Sequence, residues 1–180
     1  GLKKKDNDEN IVSLAQARKR QPKGPADIDP DAVSIKGLIP GMALHMASCC
    51  HPLPGDRIVG IVTTGKGINV HTIDCEALET YADAPERWID LAWDLQDAVP
   101  DTHVGRVMIR VLNAPGSLGD LSTVIAKNSG NISNLKIAQR SEDFFDMVID
   151  IEVRDVKHLT DIIAALRVTP SINSVERARG

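Results

Sequence analysis

The chain has 180 residues, 42% of them apolar and only 3% aromatic, and a formal net charge of -4. That length holds one domain or two small ones with aliphatic cores, and the acidity argues against a whole-chain nucleic-acid binder. No apolar run reaches the ~18 residues of a membrane span, no signal peptide is visible, and three clustered cysteines fit a reduced, cytoplasmic setting better than a disulfide framework.

Residues 1–32 are polar and charged, with Pro22, Pro25 and Pro30, and read as a flexible linker. A short helix over 10–20 is marginal by itself. The chain opens on Gly1-Leu2 without an initiator methionine, so it reads as a piece of something longer. Residues 33–95 predict a first small module. Its strands are expected from Val33 to Leu38, from Arg57 to Thr63, from Ile68 to Val70 and from Trp88 to Trp93. Pro40-Gly41 and Thr64-Gly65-Lys66-Gly67 predict turns. Asp74 is expected to cap a short helix over Cys75 to Tyr81, which Pro85 ends.

Residues 94–101 are polar and mark a boundary. From 102 to 180 the pattern is strand-helix-strand-strand-helix-strand. Val107, Ile109 and Val111 alternate, and Leu118, Leu121 and Ile125 follow at helical spacing. Ser117 or Asn113 is the expected cap of that helix, and Gly130 its left-handed end. Ile132, Leu135 and Ile137 make a second strand. Met147, Ile149 and Ile151 line a third, and Leu159, Ile162, Ile163 and Leu166 form one helix face before Pro170 and a last strand from Ile172. The fold class is therefore α+β: a small mixed β-rich module, then a ferredoxin-like βαββαβ domain. Two helices cover one sheet face, and the other face, with Phe144 and Val148, wants a partner.

The most informative run is Cys49-Cys50-His51-Pro52-Leu53-Pro54-Gly55-Asp56, followed by Thr64-Gly65-Lys66-Gly67, His71 and Cys75. Zinc takes four soft or borderline donors in a tetrahedron, and Cys49, Cys50, His71 and Cys75 offer such a set. Adjacent cysteines point apart in a strand, so a bend at Cys50-His51-Pro52 is required, and His51 is an alternative ligand. The competing reading makes the cysteines small buried apolar groups and His71 a hydrogen-bond donor within the fold. A disulfide or redox role is the third. Thr64-Gly65-Lys66-Gly67 lacks the GxxxxGK[ST] form, so it is no phosphate-binding loop of that kind.

The same run, with Ile58, Gly60 and Asp74, resembles the signature of the long RelA/SpoT-type proteins, which make or hydrolyse (p)ppGpp. The resemblance covers residues 33–180. It implies a zinc-finger-like or ribosome-intersubunit module followed by an ACT domain, and it leaves the family's catalytic domains outside this chain. The chain is thus expected to have no catalytic residues of its own, while the parent acts as a GTP/GDP pyrophosphokinase and (p)ppGpp pyrophosphohydrolase. The resemblance implies a structural zinc, and contacts of His51, Arg57 and Lys66 with ribosomal RNA. It also implies an amino-acid effector site, at an ACT dimer interface, where the first strand meets the first helix: Asn113, Ala114, Pro115, Gly116, Ser117, Leu118 and Gly119. Asn131, Ile132 and Ser133 close it from the same or a partner subunit. Leu118 and Ile132 favour a branched-chain ligand such as valine or isoleucine. The expected partners are a second copy, that amino acid, the catalytic domains of the same chain and the ribosome. The alternative is a ribosome-docking module without a small-molecule ligand.

Overall fold

The computed structural model describes residues 35–94 and 102–178. The linker over 1–32 and the helix expected over 10–20 lie outside the described residues. The first domain is a five-stranded sheet of β1 (Ile35–Lys36), β2 (Leu44–Met46), β3 (Ile58–Thr63), β4 (Gly67–Thr72) and β5 (Trp88–Trp93), in the order β1-β5-β3-β4-β2. Strand β2 runs parallel to β4, whereas the other pairs are antiparallel. Three residues give β2 no readable alternation. It exists because β4 offers it an edge, beginning with the Ile68 N–H donated to the Ala43 carbonyl at 2.8 Å.

The central strand β3 is buried on both faces, which is why its sequence is continuously apolar. One face packs Ile58 with Leu44, Ile68, Val70 and Leu91. The other packs Val59 and Ile61 with Cys50, Cys75 and Leu78. The short helix is a 3-10 turn over Glu76–Tyr81 whose N-cap position is Cys75, without a side-chain cap bond. Asp74 is therefore not its cap. Pro85 does not end that turn but opens a second one, Pro85–Arg87, where its missing N–H costs nothing.

The second domain follows the expected plan: β6 (His103–Leu112), α1 (Ser117–Lys127), β7 (Asn131–Arg140), β8 (Phe144–Val153), α2 (Val156–Arg167) and β9 (Ile172–Arg177). The sheet order is β7-β8-β6-β9, all antiparallel. Period-two apolar residues of β6 and β8 meet the stripes Leu121/Ile125 and Leu159/Ile162/Leu166 of the helices in one core. The Asp155 carboxylate caps α2, accepting the His158 N–H at 2.7 Å. Helix α1 departs from expectation at both ends. Its N-cap position is Gly116, at φ +86 and without a side-chain cap, so neither Ser117 nor Asn113 serves. Asn113 instead donates to the Ser141 carbonyl at 2.7 Å. The left-handed residue after α1 is Ser129, at φ +61, rather than Gly130. Among the described residues, no helix is long and apolar enough to cross a membrane.

Candidate functional site

The Cys/His cluster sits between the turn at 47–51, the end of β4 and the start of the first 3-10 turn. The His51 N–H closes that turn onto the Ala47 carbonyl at 3.0 Å. In a helical turn neighbouring side chains diverge by about 100° rather than 180°, so Cys49 and Cys50 both reach inward. The left-handed backbone of His51, φ +46, then sends the chain away. The Cys49 Sγ lies 3.5 Å from His71 Nδ1 and 3.5 Å from Cys75 Sγ, and Cys50 Sγ lies 3.8 Å from His71 Nδ1. All four donor atoms fall within 4.8 Å of one another. His51 is not among them.

Among the described residues, no carboxylate joins this group. Burial pushes the Cys50 thiol up to about 12, and burial with the neighbouring Cys75 raises Cys49. Burial also holds the His71 imidazole below its ordinary range, so it is neutral. Three thiols and a neutral imidazole facing one point form a donor set able to hold a metal ion, whose charge would let the thiols ionise. The same contacts also suit a hydrogen-bonded buried set.

The rest of the signature docks onto the second domain. Leu53 is wholly buried within the second domain's core cluster. Leu53 lies over Gly105, where a side chain would run into Leu159 and come into contact with Leu53. The Val156 N–H, at the start of α2, donates to the Pro54 carbonyl at 2.9 Å. Arg177 forks onto Asp56 at 2.7 and 2.6 Å and adds a 3.1 Å bond to the His51 carbonyl. Asp56 also accepts the Leu53 N–H at 2.7 Å, which fixes the loop's shape. Burial, then the Arg106 and Arg177 charges, keeps the His51 imidazole below its ordinary range. A second link is the edge-on contact of the Trp93 and His103 rings, 5.6 Å between centroids.

The three residues expected at RNA do not share a surface. His51 is half-buried at the domain junction. Arg57 and Lys66 are both exposed but bracket β3 at its two ends, about 25 Å apart by strand rise. The two effector arms also stand apart within one chain. Asn113–Gly119 leave the end of β6 that pairs with Phe144, whereas Asn131 pairs with Glu152 at the opposite end of the sheet. Helix α1 separates them. The docking role of Leu53 and Arg177 was not anticipated. An apolar residue held between two prolines in a polar loop is the one local sign of it, and Arg177 has none.

Two family models match the chain: the RelA/SpoT RIS domain over residues 33–94 and the ACT domain over residues 101–177. The GTP pyrophosphokinase rsh of Brucella abortus (strain 2308) is 41% identical over 149 residues, covering 83% of this chain and 20% of that protein. The bifunctional (p)ppGpp synthase/hydrolase SpoT of Escherichia coli (strain K12) is 30% identical over 175 residues, covering 94% of this chain and 24% of that protein. The chain thus spans about a fifth to a quarter of the length of these relatives. The crystal structure of the ACT domain from the GTP pyrophosphokinase of Chlorobium tepidum aligns with 43% of this chain and 99% of its own, at 22% identity and a TM-score of 0.38. With both models matching in tandem across the signature loop and the βαββαβ domain, the chain belongs to the RelA/SpoT family and carries its RIS and ACT domains.

Proposed function

We propose that this chain is the regulatory part of a cytoplasmic (p)ppGpp synthetase/hydrolase, whose ACT domain senses an amino acid and controls distant catalytic domains. The observation that carries this reading is the loop from His51 to Asp56, seated in the ACT domain by Leu53 and by the Arg177 fork. A signal received by the ACT domain then moves the RIS domain with it. The ligand is a branched-chain amino acid such as valine or isoleucine, held at Asn113–Gly119. Leu118 is 43% exposed there, and a side chain added at Gly116 or Gly119 would meet nothing within 4 Å. Those glycines let a ligand approach the backbone, and the N–H groups at a helix start suit its carboxylate. Asn131, Ile132 and Ser133 stay at the far end of α1 and are left out of this site. The ACT domain pairs with a second copy. Titration calorimetry of the chain with the amino-acid set tests the reading: saturable heat with valine or isoleucine, abolished in Gly116→Val, is expected. No heat with any amino acid at millimolar concentration overturns it.

The cluster, in the same reading, holds one structural zinc through Cys49, Cys50, His71 and Cys75. Zinc–sulfur bonds of about 2.3 Å and zinc–nitrogen bonds of about 2.0–2.1 Å imply tetrahedral edges of about 3.5–3.8 Å. Three of the six edges, at 3.5, 3.5 and 3.8 Å, fall in that range, and all four donor atoms lie within 4.8 Å of one another. Zinc would supply charge to the ligand set and tie the 47–51 turn to β4, with no chemical step.

A second reading, a ribosome-docking module, is favoured by the exposure of Arg57 and Lys66. Their separation along β3 gives two phosphate contacts rather than one patch. Its mark is salt-sensitive binding to ribosomes that is lost in Arg57→Ala/Lys66→Ala; a chain that does not bind ribosomes at all removes this reading.

A further inference from the structure

We propose that the open face of the ACT sheet pairs with the same face of a second copy, about a two-fold axis running along the strands between β6 and β8. This rests on the dimer reading above and names its surface. The face opposite the helices is uncovered, and Met108, at its centre, is 58% exposed. A shallow depression of about 500 Å³ lies there, lined by Met108, Arg110, Asp146, Val148, Ser174 and Glu176 among others. The docked loop approaches the other end of the face, where the Asp150 side chain is only 10% exposed.

The register decides the symmetry. Outward residues of β6 pair with outward residues of β8 as Met108 with Val148, Arg110 with Asp146 and Leu112 with Phe144. At the edges, Lys136 of β7 lies beside Val148, and Glu176 of β9 lies beside Met108. The central row therefore reads Lys136, Val148, Met108, Glu176 from edge to edge. A two-fold along the strands turns each row end for end. Lys136 then faces the partner's Glu176, Met108 faces the partner's Val148, and Arg110 faces the partner's Asp146. Every charged position meets its opposite, and apolar meets apolar. An axis across the strands fails this test, because it lays each strand on its own copy and sets Lys136 against the partner's Lys136 and Glu176 against the partner's Glu176, whereas Arg106 and Arg110 are already forked onto Asp150 and Asp146 of their own chain. Like charges directly opposed are repulsive, so the face accepts one orientation. Aligned packing of two sheet faces is an ordinary geometry. Four strands at about 4.8 Å and five or six residues at about 3.3 Å give a patch roughly 20 Å square. That is the low end of specific interfaces, so association in the range of about 1–100 µM is expected.

Sedimentation velocity of the 180-residue chain, from about 1 to 300 µM, tests this against Met108→Lys, Lys136→Glu, Glu176→Lys and the double exchange Lys136→Glu/Glu176→Lys. All three positions are exposed, and circular dichroism reads whether each variant is folded. The wild type should pass from monomer to dimer. Met108→Lys and each single reversal should weaken association about tenfold or more, and the double exchange should return it to within about twofold of the wild type. Lys136 and Glu176 lie on opposite edge strands of one sheet, so that rescue arises only across the interface. Three outcomes overturn the proposal: a wild type that stays monomeric, a dimer indifferent to Met108→Lys, or single reversals that the double exchange does not rescue. A monomer that still gives heat with isoleucine overturns this interface and leaves amino-acid sensing standing.

Discussion

Replacing Leu53 with alanine should uncouple the two domains. The side chain belongs to the RIS domain in sequence but is fully buried in the ACT core, against Leu159 and over Gly105. Leucine-to-alanine changes at fully buried sites cost about 2–5 kcal/mol, the transfer term plus the cavity left behind. This site is walled by β6, α2 and the loop's own Asp56 and Arg177 contacts and has little room to collapse, so about 3 kcal/mol is expected. That is about a hundredfold in the docking equilibrium, and about 6–12 °C in a melting transition for a chain of this size. Both tryptophans, Trp88 and Trp93, lie in the RIS domain, whereas the α-helices among the described residues lie in the ACT domain. Urea unfolding followed by tryptophan fluorescence and by far-ultraviolet circular dichroism therefore watches the domains separately. The wild type should give coincident transitions, and Leu53→Ala should split and lower them. Coincident transitions in Leu53→Ala at the wild-type midpoint would refute the reasoning, because burial of Leu53 in the ACT core would then not hold the two domains together.

Four further outcomes are expected. The purified chain should retain one zinc by elemental analysis, and chelation or Cys50→Ser should lower the fluorescence-detected transition more than the dichroism-detected one. Gly67→Ala should destabilise the RIS domain by about 2 kcal/mol or more, because φ is +94 and an added Cβ would strike the Ala43 carbonyl, a loss readable in the same urea titration. Asp155→Ala removes the cap of α2 and should cost about 1 kcal/mol by dichroism-detected unfolding. Stability should fall on acidification in two steps. The neutral, half-buried His51 has its folded pKa below the unfolded value of about 6.5, so its contribution is complete above that pH and is lost as pH falls through the folded value. The Arg106 fork, chiefly, lowers Asp150 below about 3.9, so its contribution persists to lower pH and fades through the folded value; Asp150→Asn should flatten that second step.

The two domains were legible in the sequence to different depths. In the ACT domain, alternation in β6 and β8 and helical spacing in α2 report burial directly, because each face of these elements sees one environment. The ends of α1 were less legible, since Gly116 and Ser129 take left-handed conformations that other residues at those positions also signal. Strand β2 was hidden because three residues cannot show a period, and β4 alone supplies its edge. The four cluster residues were readable from type and spacing. The bend that turns both adjacent cysteines inward depends on the turn at Ala47–His51 and was only required, not derivable. The expected RNA trio failed to converge because His51 is drawn into the domain junction and β3 holds Arg57 and Lys66 at its two ends.

The sequence by itself determined the domain order, the α+β class, the core stripes and the family, because periodicity and a long glycine-proline-cysteine signature are local properties of the chain. Only the tertiary structure decided what that signature does between its cysteines and Arg57. Leu53, Pro54 and Asp56 find their partners at Gly105, Val156 and Arg177, up to 121 residues away. No local pattern encodes such a contact, because its free energy arises only when the leucine of one domain is buried in the core of the other.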